Sequence, residues 1–377
     1  MKALDLFAGM GGASLGLERA GLTVTAIEHD EKAADLHSHV CAGLTIRADI
    51  AALDPRAFDR NGYGLLWASP PCQPFSQAGL RRGLDDPRGH LIFQVPRWVK
   101  ALMPRFVICE QVKAALPWWE GFAAEFKQLG YSTWTGLLHS EQFGVPQTRT
   151  RAFLLASLDG TATPPPPTHR RYHSRGEHIR PNDAHLPMFT SMADVIDVDV
   201  DALIGFPRKA DNGDAINGYR RRDLRLGEEP AFTVTSKGRS WSVNTGRDWK
   251  PGEDRSTAQQ RDSEYPAPSL TSNSSKGWLL QGRQSKATLR LSDEPGPTLT
   301  AGHDVSQWKI GSRIITVEDG LALQTFPTDC LDGLAVTKTA AFKAIGNAVP
   351  PMWAEAIVTH LIRPRSHTVT TVTERSV

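Results

Sequence analysis

The first thirty residues constrain the fold most. Residues 3–7 read as a short strand, Gly9-Met10-Gly11-Gly12 is a tight turn, and 13–20 reads as a helix stopped by Gly21. Residues 22–27 then read as a second strand that ends at Glu28. Strand, glycine turn, helix and strand make a βαβ unit, the element of a parallel α/β sheet. Glycines between strand and helix let backbone N–H groups approach a ligand closely. An acid at the tip of the second strand is placed to hold ribose hydroxyls. No Lys-Ser or Lys-Thr follows the glycines, which argues against a P-loop. A plain βαβ unit explains the same turn. Asp49-Ile50 falls about where a third strand ends and can meet an adenine ring; the plainer reading of Asp49 is a helix cap.

The apolar run 63–68 predicts another buried strand. Ser69-Pro70-Pro71-Cys72-Gln73-Pro74-Phe75-Ser76 follows it. The two prolines end the strand and put Cys72 at its C-terminal tip, where open α/β sheets build their sites. A thiol held there is a candidate nucleophile. Lone cysteines are more often inert core residues, but the prolines and the polar Gln73 and Ser76 favour a site. The four cysteines, Cys41, Cys72, Cys109 and Cys330, form no CxxC and no zinc spacing. This suits a reducing, cytoplasmic compartment and argues against a disulfide scaffold or structural metal. The first strand starts at about Lys2, which leaves no signal peptide, and no apolar run is long enough to span a membrane. The chain of 377 residues is long enough for two domains. Its formal charge of +2 gives no global nucleic-acid signature, so any such binding rests on local arginine clusters.

Residues 106–109 predict a further strand, closed by Glu110-Gln111-Val112. Glu110 then faces the same crevice as Cys72. It reads as an acid that touches the substrate and donates a proton, with a solvated strand-end carboxylate as the bland alternative. Gln147-Thr148-Arg149-Thr150-Arg151 leads into a strand at 152–156, and its arginines at i and i+2 share a face. They suit anionic or carbonyl groups, or else a solvated strand edge.

Taken together, these motifs resemble the DNA cytosine-5 methyltransferases of bacterial and phage type. Asp5-Leu6-Phe7-Ala8-Gly9-Met10-Gly11-Gly12 is similar to the family's cofactor motif, 70–76 to its catalytic loop and 147–151 to its Gln-x-Arg-x-Arg motif. Residues 313–327 and Gly346-Asn347-Ala348-Val349-Pro350-Pro351 are similar to its last two motifs. The resemblance covers roughly 1–157 and 313–362. It implies a doubly wound, Rossmann-like α/β sheet of the S-adenosylmethionine-dependent methyltransferases, with a small irregular β-rich insert. It implies that Cys72 adds to C6 of a flipped-out cytosine, Glu110 holds N3, Arg151 contacts O2 and Arg149 braces the catalytic loop. It assigns Phe7, Gly9, Gly11, Gly12, Glu28, His29, Asp49, Ile50, Pro71, Leu91 and Asn347 to S-adenosylmethionine, and it sets Ser76 and Arg88 against DNA. Its implied partner is double-stranded DNA, met as a monomer, with a cognate restriction endonuclease as a further partner left open. Two positions depart from the family pattern. Gln111 stands where Asn is usual, which alters support of the loop, and His29 stands where many relatives carry tryptophan beside the ribose-binding acid, which bears on cofactor affinity.

The proline run at 161–167 predicts a stiff linker. The expected layout is catalytic sequence over 1–160, a target-recognition domain over 161–312, returning catalytic sequence over 313–362 and a frayed tail over 363–377. Inside the insert a unit repeats three times. Thr-bearing segments at 230–235, 266–271 and 295–300 lead to Trp241, Trp278 and Trp308. Each unit reads as two short strands joined by a small polar loop. Those loops carry Lys237, Arg239 and Lys276, with Arg239 suited to a base edge and the lysines to phosphate. The alternative is solvated turns, with recognition by Arg220-Arg221-Arg222. Two rivals remain at this stage: an RNA cytosine-5 methyltransferase, and a non-catalytic DNA-binding homologue, against which intact Cys72 and Glu110 argue.

Overall fold

Seven strands form one mixed sheet. They are β1 (Lys2–Leu6), β2 (Thr23–Glu28), β3 (Leu44–Arg47), β4 (Leu65–Ala68), β5 (Phe106–Val112), β6 (Ser132–His139) and β7 (Thr150–Ser157). Their order is β3-β2-β1-β4-β5-β7-β6. β1 to β5 run parallel, and β7 lies antiparallel between β5 and β6. The computed structural model describes residues 1–60, 62–71, 87–172, 183–192, 194–196 and 315–363, with backbone alone at 87–89 and for short strands between 203 and 314.

Helices cover both faces, which is why the strands read as continuous apolar runs rather than alternating ones. Ala3 of β1 packs with Leu17 of α1 (Gly12–Arg19) and with Trp353 and Ile357 of α7 (Pro351–Ile362). Leu4 and Leu6 face the other way, onto Val95, Trp98 and Val99 of α3 (Gln94–Leu102) and Trp119 and Phe126 of α4 (Leu116–Gln128). Between β2 and β3, α2 (Glu31–Val40) starts at Asp30, whose Oδ1 accepts the Ala33 N–H at 2.9 Å.

The chain order reverses between β1 and β4, so a crevice opens at their C-terminal ends. β1 ends because Phe7 turns to φ 62° and Gly9 to φ 56°. β3 ends at Arg47, two residues short of Asp49, which heads a tight turn. The returning segment supplies α5 (Val317–Leu323), α6 (Lys338–Asn347) and α7. α5 opens with a capping box in which Thr316 and Asp319 satisfy each other's backbone N–H.

α7 closes the fold by lying against α1, where glycine permits the approach. A Cβ on Gly16 would sit 2.5 Å from the Pro351 carbonyl oxygen and 2.6 Å from the Ala354 Cβ. Gly16→Ala must push the helices apart and is expected to cost about 1–3 kcal/mol. The check is a urea unfolding midpoint, which falls at unchanged m-value; an unchanged midpoint would show that α7 yields freely.

The proline run does not leave the core at residue 160. Ala162 is buried among the residues under α7, and the Thr163 hydroxyl lies 3.1 Å from His360 Nε2. Met192 and Ile196 pack with Phe326 and Leu331 of the returning segment. In the insert, described strands begin at or directly after each repeated tryptophan: Trp241–Asn244, Leu279–Gly282 and Lys309–Ile310. The first two pair antiparallel, Trp241 opposite Gly282. The Thr-bearing segments and the three polar loops lie outside the described residues.

Candidate active site

The glycine turn and Glu28 meet at neighbouring strand tips because Leu6 pairs with Ile27. The Glu28 carboxylate accepts the Gly9 N–H on Oε2 and the Asp30 N–H on Oε1, both at 2.8 Å. It therefore shapes the turn. Each oxygen still has acceptor capacity for vicinal hydroxyls. A Cβ on Gly9 would meet nothing within 4 Å, so the turn borders open space. A Cβ on Gly12 would lie 2.0 Å from the Val349 carbonyl oxygen, which sets the final motif against the turn. Phe7 packs on the same apolar cluster that buries Ile50. His29 and Asp49 are exposed, Leu91 is half-buried, and Asn347 is exposed at the end of α6. This set, with an apolar wall, open space beside the turn and a carboxylate with spare acceptor capacity, fits S-adenosylmethionine.

A hydrogen-bonded chain lies beneath the turn and is not legible in sequence. Asp5, fully buried on β1, accepts from Ser14 Oγ at 2.7 Å through Oδ2. His37 Nε2 is 2.9 Å from Ser14 Oγ, and its Nδ1 is 2.7 Å from Thr45 Oγ1. Because Ser14 gives its proton to Asp5, the imidazole donates from Nε2 and accepts from Thr45. Burial pushes the Asp5 carboxyl up to about 7, against the Ser14 hydrogen bond that lowers it and with the Glu28 charge that raises it. Burial also pushes His37 down to about 4.

These two shifts oppose each other in stability. Asp5 holds a proton in the native state from its ordinary 3.8 up to about 7. Its contribution is complete below about 4 and is lost as pH rises through about 7. His37 refuses a proton in the native state from its ordinary 6.5 down to about 4, so its contribution is present above 6.5 and is lost as pH falls through about 4. Between 4 and 6.5 the native pair is neutral and the unfolded pair is ionic, with the same proton count. Each slope, at most about 1.4 kcal/mol per pH unit, cancels the other. Relative to wild type, stability of His37→Gln should fall as pH rises across this window, and stability of Asp5→Asn should rise. Urea titrations at stepped pH read both; variant profiles parallel to wild type would refute the coupling.

At the next strand tip, Ala68 pairs with Cys109, so Glu110 and Gln111 extend past β4 beside Ser69 and Pro70. The Gln111 side-chain amide donates to the Pro70 carbonyl, and its Oε1 accepts the Val112 N–H at 2.6 Å. The longer amide thus holds the backbone two residues before Cys72. Burial pushes the Cys41 and Cys109 thiols far above their ordinary range, and the Cys330 thiol, shifted chiefly by burial, to about 11. None of these three suits a nucleophile. Cys72, Ser76, Lys237, Arg239, Lys276 and the Arg88 side chain lie outside the described residues.

Glu110 is 6% exposed. Arg151, opposite Val112 across the β5–β7 pair, is its diagonal neighbour. Arg151 Nε stands 3.1 Å from Glu110 Oε1, within ion-pair reach, yet that oxygen receives no aligned hydrogen bond. Arg151 Nη1 donates to the Thr150 carbonyl at 2.9 Å. Two other members of the 147–151 motif tie down the returning segment. Arg149 Nη1 donates to the Gly346 carbonyl at 3.1 Å, and Gln147 Nε2 to the Leu323 carbonyl at 3.0 Å. Gln324 does the same for Ile345 at 2.8 Å. The two arginines, expected on one face, thus have different described partners.

The strand order, the inverted β7 and the glycine turn facing an acid define the Rossmann-like fold of the S-adenosylmethionine-dependent methyltransferases. The S. pombe Dnmt2 methyltransferase shares it, with a TM-score of 0.54 at 16% identity over 96% of this chain and 98% of that one. So does the Spodoptera frugiperda DNMT2, at 0.55 and 16% over 96% and 99%. The family model for C-5 cytosine-specific DNA methylases matches residues 1–363, and the chain belongs to that family. The Type II methyltransferase M1.HphI of Haemophilus parahaemolyticus is 27% identical over 96% of this chain and 86% of its own length. M.NlaX of Neisseria lactamica, also a Type II methyltransferase, is 37% identical over 42% of this chain, a match that spans 52% of that protein. No helix among the described residues is long and apolar enough to cross a membrane.

Proposed function

We propose that this protein methylates C5 of cytosine in a specific sequence of duplex DNA. The observation that carries this is Glu110. It is buried beside Arg151, whose Nε faces Oε1 without an aligned hydrogen bond, one strand over from the tethered entry to the Cys72 loop. A cytosine inside a duplex cannot reach such a cleft, so the nucleotide is flipped out. Cys72 thiolate adds to C6 while Glu110 donates to N3, which turns the ring into an enamine with a nucleophilic C5. Arg151, which pairs with Glu110, is assigned to O2 of the base. Bound between Phe7, Glu28, Asp49, Ile50 and the glycine turn, S-adenosylmethionine supplies an electrophilic methyl group. Loss of the C5 proton to water and return of the N3 proton to Glu110 then expel the Cys72 thiolate and restore the aromatic ring.

The segment 161–312, whose first part still packs on the catalytic core, is assigned to target recognition. Arg239 is assigned to a base edge, and Lys237, Lys276, Ser76 and Arg88 to the DNA around the site. The Type II relatives favour a restriction–modification setting with a cognate endonuclease, and the enzyme is assigned as a monomer. Base-resolution 5-methylcytosine sequencing of DNA from cells expressing the chain tests activity and names the target together. Absence of 5-methylcytosine above background, with purified protein also inactive, would overturn the assignment.

A further inference from the structure

Arg97 stands on the first turn of α3, a helix otherwise described by its buried face. Its guanidinium reaches across to the turn that follows β3. Nη1 lies 3.3 Å from the Ile50 carbonyl oxygen and 3.2 Å from that of Ala51, and Nη2 lies 2.6 Å from that of Leu53. Nη1 also meets Gln94 Oε1 at 2.9 Å, which steadies the side chain from its own helix.

Besides the burial of Ile50 and the packing of Leu53 on the core, the turn is held by three bonds to Asp49. Asp49 O accepts from Ala52 N at 3.0 Å and Leu53 N at 3.1 Å, and Asp49 Oδ1 accepts from Ala51 N at 2.9 Å. A single turn of this kind does not persist alone in water. Its outward carbonyls are those that a planar fork of N–H donors can collect together, as an arginine does and a lysine cannot. α3 is seated on the same segment by Trp98, whose ring meets Phe58 edge-on at 5.0 Å. Ile50 is buried while Asp49 is exposed, so the turn presents one apolar and one acidic group side by side.

We infer that Arg97 is a positioning residue of the cofactor pocket: by clamping the Ile50, Ala51 and Leu53 carbonyls it fixes the Asp49–Ile50 wall that receives the purine. This rests on the reading of that wall as part of a nucleoside site. Arg97 touches no reacting atom, so its removal should weaken donor binding and leave the chemistry intact.

The test is calorimetric binding of S-adenosylhomocysteine to the full chain without DNA. Wild type is compared with Arg97→Met, Arg97→Lys and Lys100→Met. Lys100 lies on the same helix, pairs with Glu125 and serves as the control. The expected result is a Kd about tenfold weaker for Arg97→Met, or about 1.4 kcal/mol. Arg97→Lys should lose several-fold, and Lys100→Met should bind like wild type. Steady-state assays should show KM for S-adenosylmethionine rising with Kd and kcat at saturating donor within about twofold. If Arg97→Met folds poorly, Arg97→Lys carries the comparison. Unchanged affinity in both Arg97 variants, even with lowered thermal stability, would overturn the inference, and so would an equal loss in Lys100→Met. Failure of wild type to bind S-adenosylhomocysteine would instead overturn the cofactor assignment itself.

Discussion

Cys72→Ser is expected to lower methyl transfer by several orders of magnitude while DNA binding survives. A cysteine of ordinary pKa is a few per cent thiolate at neutral pH and intrinsically very nucleophilic, whereas a serine hydroxyl there is essentially all protonated. The other three thiols cannot substitute, because burial raises each of them. The Gln111 tether acts on the Pro70 carbonyl and not on the thiol, so it should survive the substitution. DNA with 5-fluorocytosine at the target should trap wild type as a covalent adduct, because fluorine at C5 cannot leave as a proton. The same DNA should leave Cys72→Ser free on a denaturing gel. Near wild-type turnover by the serine variant, or trapping that persists in it, would remove Cys72 from the mechanism.

How far the sequence reaches depends on how local each signal is. The apolar runs at 63–68, 106–109 and 152–156 contain or overlap β4, β5 and β7, because strands covered on both faces leave an uninterrupted hydrophobic record. The glycine turn was legible because positive φ at Gly9 and Gly11 selects glycine directly. Glu28 was legible as an acid at a strand tip, but its second task, holding the Gly9 and Asp30 N–H groups, was not. Asp5 shows the limit more clearly. A lone acid between Leu4 and Leu6 signals something unusual in a buried strand. Nothing local says that Ser14 and His37, 9 and 23 residues from their partners, complete the chain. Arg97 leaves no trace of its role, since an arginine on the exposed side of a helix looks like any solvated cation. Its partners lie 44 to 47 residues earlier. The closure of the final motif on Gly12 is likewise a contact between the two ends of the chain, which no periodicity encodes.

Glu110→Gln separates the proton from the shape. The amide keeps the length, the planarity and a hydrogen bond to N3, but it has no proton to give as negative charge develops on the ring. Loss of general-acid help is worth about 10²–10⁴ in rate, so kcat should fall about a hundredfold or more. The substitution also discharges one partner of a pair whose cation, Arg151, is only 14% exposed in its side chain. Breaking a buried pair costs stability because the survivor is left uncompensated. Arg151 keeps its bond to the Thr150 carbonyl, so the variant should fold with a lowered melting temperature. Stability loss alone predicts a smaller active fraction, with kcat restored once active sites are counted. Loss of the acid predicts a low kcat per counted site. S-adenosylhomocysteine affinity should stay within about twofold of wild type, since the carboxylate described on the glycine turn is Glu28, and Glu110 pairs with Arg151 instead. Glu110→Asp, which keeps the carboxyl but draws it back by one methylene, should fall between the two. A large loss of cofactor affinity in Glu110→Gln would put the residue in the other half of the crevice. Full turnover per counted site would reduce the Glu110–Arg151 pair to a structural tie across β5 and β7.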